Sequence, residues 1–434
     1  MRDCESRYSA RSQDELVRAA GTAVGFEAMR LLGSCYGARV AVVVGPGFNG
    51  ADGRVAGEWL KYRGARVAII EVKSQPKLLE GFDLVIDAAF GIGCSRPYGA
   101  PQVRGNTRVL AVDVPSGVDA DTGELFGTPM KADVTVAIGA YKYAHVTGPA
   151  QDYVGALRFV DLDLVDDFRD GVLDDNDLML LGTSQRDDHK WKHALSVFAG
   201  SPLMSGAAEL VVRGALVTGA SMIRFQSHGE LASTGSFPPE VVHGEGATFD
   251  ARSRAVVAGP GLGSDVTAWL SERLREVHVP VVLDADALEA KVIDEVASHA
   301  PLVLTPHEGE YARLMGAPVG ANRIDAVRRA SAKLGAVLLL KGPTTVVADP
   351  SGAVRVVTSG TPTLATAGSG DVLSGMIGGT LARGLPPLLA ASLAAHLHGR
   401  AGARCSTYAP ASSIPEEVTR ILDEVRQSKT VMSL

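Results

Sequence analysis

Three short segments in the first third of the chain place reactive side chains directly after apolar runs. Val40–Val44 leads into Gly45-Pro46-Gly47-Phe48-Asn49-Gly50-Ala51-Asp52-Gly53. Leu84–Ile86 leads into Asp87-Ala88-Ala89-Phe90-Gly91-Ile92-Gly93, and Val109–Val112 into Asp113-Val114-Pro115-Ser116-Gly117. Gly45, Gly47 and Gly50 meet the G-x-G-x-x-G spacing, and Glu71 closes the next apolar run. That spacing suits backbone donors brought to a phosphate at a helix start, and equally a tight strand-to-helix turn that holds nothing. A carboxamide at Asn49, a carboxylate at Asp87 and a hydroxyl at Ser116 are hard oxygen donors, better suited to a monovalent cation than to a soft metal.

The second half repeats the arrangement with different residues. Gly200-Ser201-Pro202 runs into Met204-Ser205-Gly206-Ala207-Ala208, and Gly259-Pro260-Gly261-Leu262-Gly263, Asp284-Ala285-Asp286 and Thr305-Pro306-His307-Glu308-Gly309-Glu310 each follow an apolar run. Lys341-Gly342-Pro343-Thr344-Thr345 and Gly368-Ser369-Gly370-Asp371 complete the series. A small-residue turn opening a helix offers backbone donors to a phosphoryl group in transfer, and Asp371 beside it can accept a proton from an attacking hydroxyl. An acidic residue in a first helical turn also complements the helix dipole without any catalytic role. Asp284 and Asp286 admit structural, water-binding or magnesium-associated roles.

The elements that must position these groups are legible as period and punctuation. Ser12-Gln13-Asp14-Glu15 has the form of a capping box, with Leu16, Ala20, Ala23 and Leu31 on one face and Gly33 as a stop. Val40–Val44, Val67–Ile70, Leu84–Ile86, Val109–Val112 and Val134–Ile138 have the length and branching of strands buried on both faces. Asp52 to Arg63 reads as a helix, whereas residues 97–108 hold too little apolar material for a crossover helix. Aspartates crowd the stretch from Asp161 to Lys192, which reads as a solvated linker with a short helix. A second α/β series follows, with strands expected at 195–198, 222–225, 255–258, 281–283, 302–304 and 337–340, a hairpin from 345–347 to 354–357, and closing helices at 373–381, 388–402 and 415–427.

Length and composition narrow the class. The 434 residues exceed one ordinary domain, and 46% hydrophobic with 21% charged residues is a globular balance. A net charge of −7 with scattered arginines gives no footprint for nucleic acid. Cys4, Cys35, Cys94 and Cys405 form no CxxC pair, which argues against a disulfide framework or a structural zinc. No apolar run approaches the roughly 20 residues that span a bilayer, and Met1 to Ser12 is polar. A cytoplasmic enzyme with no membrane association is the expectation.

The first motif series resembles the NAD(P)H-hydrate epimerases, over about residues 14 to 163. That resemblance implies potassium on Asn49, Asp87 and Ser116. It implies a hydrated nicotinamide nucleotide on Phe48, Asn49, Gly50, Ala51 and Asp52, on Gly91, Ile92, Gly93, Cys94, Ser95, Arg96 and Pro97, and on Asp113, which is the expected proton-transfer residue. Phe48 stands where the family has Asn, and Ala51 where it has Gly. The second series, over about residues 186 to 427, resembles the ADP/ATP-dependent NAD(P)H-hydrate dehydratases of the ribokinase-like superfamily. It implies hydrated nucleotide on Ala207, Gly263, His307 and Asp371, the last being the expected base from its place at the helix start, and adenine nucleotide, accompanied by magnesium, on Lys341, Gly342, Pro343, Thr344, Thr345 and Gly370.

The resulting expectation is an α/β protein of two three-layer αβα domains, a Rossmann-like epimerase domain over 1–183 and a ribokinase-like dehydratase domain over 184–434. It would act on hydrated NADH or NADPH at the expense of ADP or ATP, as a homo-oligomer. The rival readings are a ribokinase-type kinase for a small molecule, a non-catalytic nucleotide-binding role for the N-terminal half, and a nicotinamide dehydrogenase using Gly45, Gly47 and Gly50.

Overall fold

The computed structural model describes residues 12–163, 169–182, 185–231, 237–244 and 249–432. Cys4, Asp166 and Asp167 lie outside the described residues. The chain forms two compact units, the first of residues up to 168 with Ala321–Arg323, and the second of the remainder from Arg169 onward.

In the first unit, α1 (Gln13–Leu32) starts on the expected capping box, in which Ser12 N donates to the Glu15 carboxylate at 2.7 Å and Glu15 N to the Ser12 hydroxyl at 3.4 Å. Six parallel strands follow: β1 (Arg39–Val44), β2 (Arg66–Glu71), β3 (Leu84–Ala88), β4 (Arg108–Val112), β5 (Val134–Ile138) and β6 (Ala156–Val160). Their order in the sheet is β6-β5-β4-β3-β1-β2. The order reverses between β1 and β3, so a crevice opens at their carboxyl ends, where open α/β sheets take ligands. One face of the sheet packs Val40, Val42 and Val44 against α1 and α2 (Phe48–Tyr62). The opposite face, with Ala41, Val43 and Val85, is covered by Leu79, Tyr98 and Met130 from chain that carries only two-residue strands, at Tyr98–Gly99 and Gln102–Val103 within the stretch expected to lack a helix.

The helix α2 begins at Phe48, earlier than the expected Asp52. Gly45-Pro46-Gly47 completes the turn alone, so Asn49, Gly50, Ala51 and Asp52 sit on the first helical turn rather than in a loop. Close approach explains two glycines here. A Cβ on Gly45 would lie 1.8 Å from the Ala89 carbonyl oxygen, and one on Gly50 would lie 2.0 Å from the Gly45 carbonyl oxygen.

The second unit starts with β7 (Gly171–Val172), within the stretch expected to be a solvated linker. β7 pairs in parallel with the distant β16 (Val354–Val357), Leu173, Leu178 and Leu181 are buried in this unit's core, and Asp170 accepts from Val354 N at 2.9 Å and from Arg328 Nη2 at 2.7 Å. Residues 170–181 of the acidic stretch are therefore structural edge rather than solvated linker, and the unit they join begins before residue 184. Aspartate spacing alone does not reveal such distant partners.

The remaining strands are β8 (Ala194–Phe198), β9 (Met222–Gln226), β10 (Val241–His243), β11 (Ala255–Ala258), β12 (Val281–Leu283), β13 (Leu302–Leu304), β14 (Val337–Leu340) and β15 (Thr345–Ala348), ordered β7-β16-β15-β14-β13-β12-β11-β8-β9-β10. Pair β15–β16 is antiparallel, as the hairpin predicts, β14–β15 is antiparallel as well, and the others are parallel. The helices that frame the site are α3 (Ser205–Val217), α4 (Glu308–Met315), α5 (Ser369–Ala382) and α6 (Pro387–Arg404). α5 is buried from Val372 to Ala382, as expected for a helix apolar on all sides. It lies against α3 with little space between backbones: a Cβ on Gly375 would be 1.9 Å from the Val211 carbonyl oxygen. Among the described residues, no helix is long and apolar enough to cross a membrane.

Candidate active sites

In the first unit a cleft of about 780 Å³ opens at the carboxyl ends of β1, β3, β4 and β5. Of the sequence-derived candidates, Phe48, Asn49, Asp52, Gly91, Ile92, Gly93 and Asp113 line it. Gly50 and Ala51 do not: Gly50 packs inward on the Gly45 backbone, and Ala51 lies elsewhere on the same turn. Cys94, Ser95, Arg96 and Pro97 are also outside the lining, and the last three are exposed. Phe48 lines the cleft with 57% of its surface exposed, so its ring stands at the mouth.

Asp87 is fully buried at the end of β3, where its carboxylate accepts from Ser116 N at 2.9 Å and from Ala89 N at 3.4 Å. Burial pushes this carboxyl up from its ordinary range, against the pull of the Ser116 and Ala89 hydrogen bonds. Ser116 is itself buried, its hydroxyl accepting from Phe90 N at 2.8 Å and donating to Phe90 O at 3.1 Å. Asn49 Nδ2 is buried and has no hydrogen-bond partner among the described residues. A buried carboxylate with no ion-pair partner among those residues fits a hard cation of low charge, whereas the orphaned Asn49 Nδ2 is a donor and calls for an acceptor.

Asp113 is held more tightly than its motif suggests. It has φ 66°, a left-handed conformation that a non-glycine residue adopts only when its surroundings over-determine it. Its N–H donates to Val136 O at 2.8 Å, Ile138 N donates to its carboxylate at 3.3 Å, and the Lys142 ammonium pairs with the same oxygen. The His145 ring meets the Asp113 carbonyl at 2.6 Å through Nε2 and accepts from Lys142 N at 3.0 Å through Nδ1. This requires the neutral Nε2–H tautomer, and burial holds the ring neutral by pushing its pKa down to about 4. Lys142 is buried, lines the cleft and was missed by sequence reasoning. The available signal was its place just beyond a strand end, like the other three motifs. Glu71, by contrast, pairs with Arg54 at 2.6 Å on the surface.

In the second unit the motifs meet around Lys341. Its ammonium donates to Asp284 at 2.9 Å and lies 3.8 Å from Glu310. A Cβ on Gly370 would stand 3.5 Å from that ammonium, which places it against the first turn of α5. Asp284 is almost fully buried and also accepts from the Ser374 hydroxyl at 2.5 Å, one turn into α5. Its neighbour Asp286 accepts from Gly263 N at 2.8 Å. Both aspartates are thus braces: one joins β12 to Lys341 and α5, the other fixes the Gly259–Gly263 turn.

Asp371 sits in the first turn of α5 after Gly368, which has φ 89°. Desolvation, then the negative charge of Asp284, raise its carboxyl to about 7; Lys341 opposes this and Asp286 adds to it. Desolvation also acts to lower the Lys341 ammonium, but Asp284 and Glu310 outweigh it and hold the pKa up. Carboxylate outnumbers ammonium here, which fits a cation carried in on a nucleotide. His307 caps α4, its Nδ1 accepting from Gly309 N at 3.0 Å and Glu310 N at 3.2 Å, while its side chain stays largely exposed. Ala207 lies in the first turn of α3 beside the Gly261 turn, where a Cβ on Gly261 would come within 2.7 Å of the Ala207 Cβ. Thr344 is buried in the turn after β14, and Pro343 O lies 2.6 Å from a Cβ placed on Gly360.

Two family models match the chain: one described as NAD(P)H-hydrate dehydratase over residues 195–424, the other as YjeF-related protein N-terminus over residues 13–82 and 70–144. A bifunctional NAD(P)H-hydrate repair enzyme of Mycobacterium leprae is 34% identical, covering 91% of this chain and 89% of its own. One of Mycobacterium tuberculosis is 38% identical over 84% and 83%. The second unit's fold is similar to a crystal structure of the ADP/ATP-dependent NAD(P)H-hydrate dehydratase of Bacillus subtilis, co-crystallised with ATP and Mg2+. That match has a TM-score of 0.52 at 26% identity, over 58% of this chain and 97% of the other.

Proposed function

Because the chain belongs to the bifunctional NAD(P)H-hydrate repair enzymes, we propose that its two units divide one repair. The first interconverts the R and S epimers of hydrated NADH or NADPH, and the second dehydrates the S epimer at the expense of ADP or ATP. The observation that carries the dehydratase half is the brace of Asp284, Lys341 and Ser374 beneath the turn that bears Asp371.

Hydroxide is a poor leaving group. Asp371 accepts the proton of the substrate hydroxyl as its oxygen attacks the terminal phosphoryl group of the nucleotide, and phosphate then leaves as a ring proton is lost and the double bond returns. Backbone donors at Gly368–Gly370 and the Lys341 ammonium stabilise the charge on the transferring group. Lys341 to Thr345 and Gly370 hold the adenine nucleotide, and Ala207, Gly263 and His307 face the hydrated one. Magnesium, arriving with the nucleotide, supplies charge neutralisation at its phosphates. Purified S epimer should be stable with the protein alone and consumed once ADP or ATP is added with magnesium. Consumption at the same rate without nucleotide would refute this half.

Potassium in the first unit would be held by Asn49, Asp87 and Ser116 and would supply a fixed positive charge beneath the nucleotide. Exchange of potassium for a large organic cation should therefore slow epimerisation of the R epimer and weaken its binding. Turnover and affinity both unchanged by the exchange would remove the cation from the account.

Phe48 makes a separate prediction. Its ring stands at the cleft mouth where small or amide side chains let a phosphate reach a helix start. Phe48→Asn should tighten binding of hydrated NADH several-fold in a calorimetric titration. Ala51→Gly should add nothing, since Ala51 does not line the cleft, and it should cost about 0.5–1 kcal/mol of helix stability. An unchanged or weaker affinity in Phe48→Asn would show that the ring does not limit the site.

A further inference from the structure

Lys142 is a buried ammonium on the wall of the first unit's cleft. Two of its three N–H donors are accounted for, by the Asp113 carboxylate and by Ile138 O at 2.7 Å. The neutral His145 ring ties the Lys142 backbone to the Asp113 carbonyl, so ammonium and carboxylate are locked together as one unit. An ion pair serving stability alone needs no opening onto a cleft, and a buried pair is weak evidence for stability in any case. We propose that Lys142 is the proton donor of the epimerase cleft, with Asp113 as the paired acceptor. This rests on reading that cleft as the epimerase site.

The chemistry balances without any redox partner. Water adds across an enamine with its oxygen on the carbon next to nitrogen, so the hydroxyl to be inverted sits on a hemiaminal carbon. The Lys142 ammonium gives a proton to that hydroxyl, the carbon–oxygen bond breaks, and the ring nitrogen lone pair forms an iminium as water departs. Water then bonds to the opposite face of the planar carbon, and the extra proton passes to the Asp113 carboxylate. Transfer from the Asp113 carboxyl back to the Lys142 amine, across their existing contact, restores both groups. One water leaves, one enters, and no atom is gained or lost.

The test uses the full chain with purified R epimer and no ADP or ATP, so that dehydration is idle, and follows the appearance of S epimer by chromatography. Lys142→Ala should lose about 100-fold or more in turnover, in line with removal of a general acid. Small primary amines should restore part of the rate, and the restored rate should vary with amine pKa, which a merely structural lysine would not produce. Lys142→Arg keeps the charge and the contact to Asp113 but donates a proton poorly, so it should bind hydrated NADH and turn over slowly. It also covers the case in which the alanine variant fails to fold. Near-parent turnover in Lys142→Arg, failure of every amine to rescue a folded Lys142→Ala, or rescue independent of amine basicity would each overturn the assignment. Absence of epimerisation in the parent protein would refute the epimerase reading itself, and the role of Lys142 with it.

Discussion

Replacing Asp371 by Asn should leave the protein folded and able to bind nucleotide while slowing dehydration by about 10²–10⁴-fold, the range typical of a lost general base. The carboxyl is raised to about 7 by desolvation first and by Asp284 next, so a base lies close to neutral pH where proton transfer is most effective. The same shift fixes the sign of the pH dependence. The reaction needs the ionised form, so kcat/KM for the S epimer should fall roughly tenfold per pH unit below about 7 and level off above it. The native state holds this proton more tightly than the unfolded chain does. The group therefore makes stability decline as pH rises from about 4 to about 7, and the Asn variant should lack that decline. Near-normal turnover in Asp371→Asn, or an acid limb that survives the substitution, would exclude the residue as base.

The second large effect should come from Asp284→Ala. This change takes the nearest carboxylate from Lys341, leaving Glu310 at 3.8 Å, and limits the Ser374 hydroxyl to its bond with Gly370 O at 3.0 Å, so two elements lose their connection to β12. Removing one partner of a buried pair typically costs about 3–5 kcal/mol. For a unit of this size that is a fall in Tm of roughly 6–20 °C. Dehydration should fall as well, since Lys341 loses the group that aims it at the Gly370 turn. Calorimetry on Asp284→Ala beside Asp284→Asn separates the causes. The amide keeps two hydrogen bonds but not the charge, so it should recover part of the stability and little of the activity. Equal melting of parent and alanine variant would show that the brace contributes nothing.

Much of this was legible in the sequence because periodicity and chemistry point the same way. The runs Val134–Ile138, Ala255–Ala258, Val281–Leu283 and Val337–Leu340 are strands over the expected residues, as continuous β-branched stretches buried on both faces should be. The strand-end motifs fell where a parallel sheet must put them, at one edge, and that made Asp87, Ser116 and Asp113 visible as neighbours before any coordinates. What escaped depended on partners far away in the chain. β7 exists only because β16 lies beside it, and nothing in Gly171–Val172 announces a strand. Asp284 could not be assigned because its role is defined by Lys341 and Ser374. Lys142 was passed over because a lone lysine in a loop carries no motif, although the burial of its ammonium decides its importance. The helix expected from Asp52 starts at Phe48 because glycine spacing fixes a turn but not where the following helix starts.

The most direct test of the central claim takes hydrated NADH as a mixture of both epimers, adds the protein with potassium, magnesium and ADP or ATP, and follows the near-ultraviolet absorbance of the dihydropyridine. Two cooperating activities predict recovery of the full absorbance, S and R epimers together, with one nucleotide terminal phosphate released per NADH restored and no recovery when nucleotide is omitted. A plateau at the S fraction alone would contradict the epimerase half. Accumulation of a stable phosphorylated nucleotide without return of absorbance would contradict the dehydratase half and leave a kinase in its place.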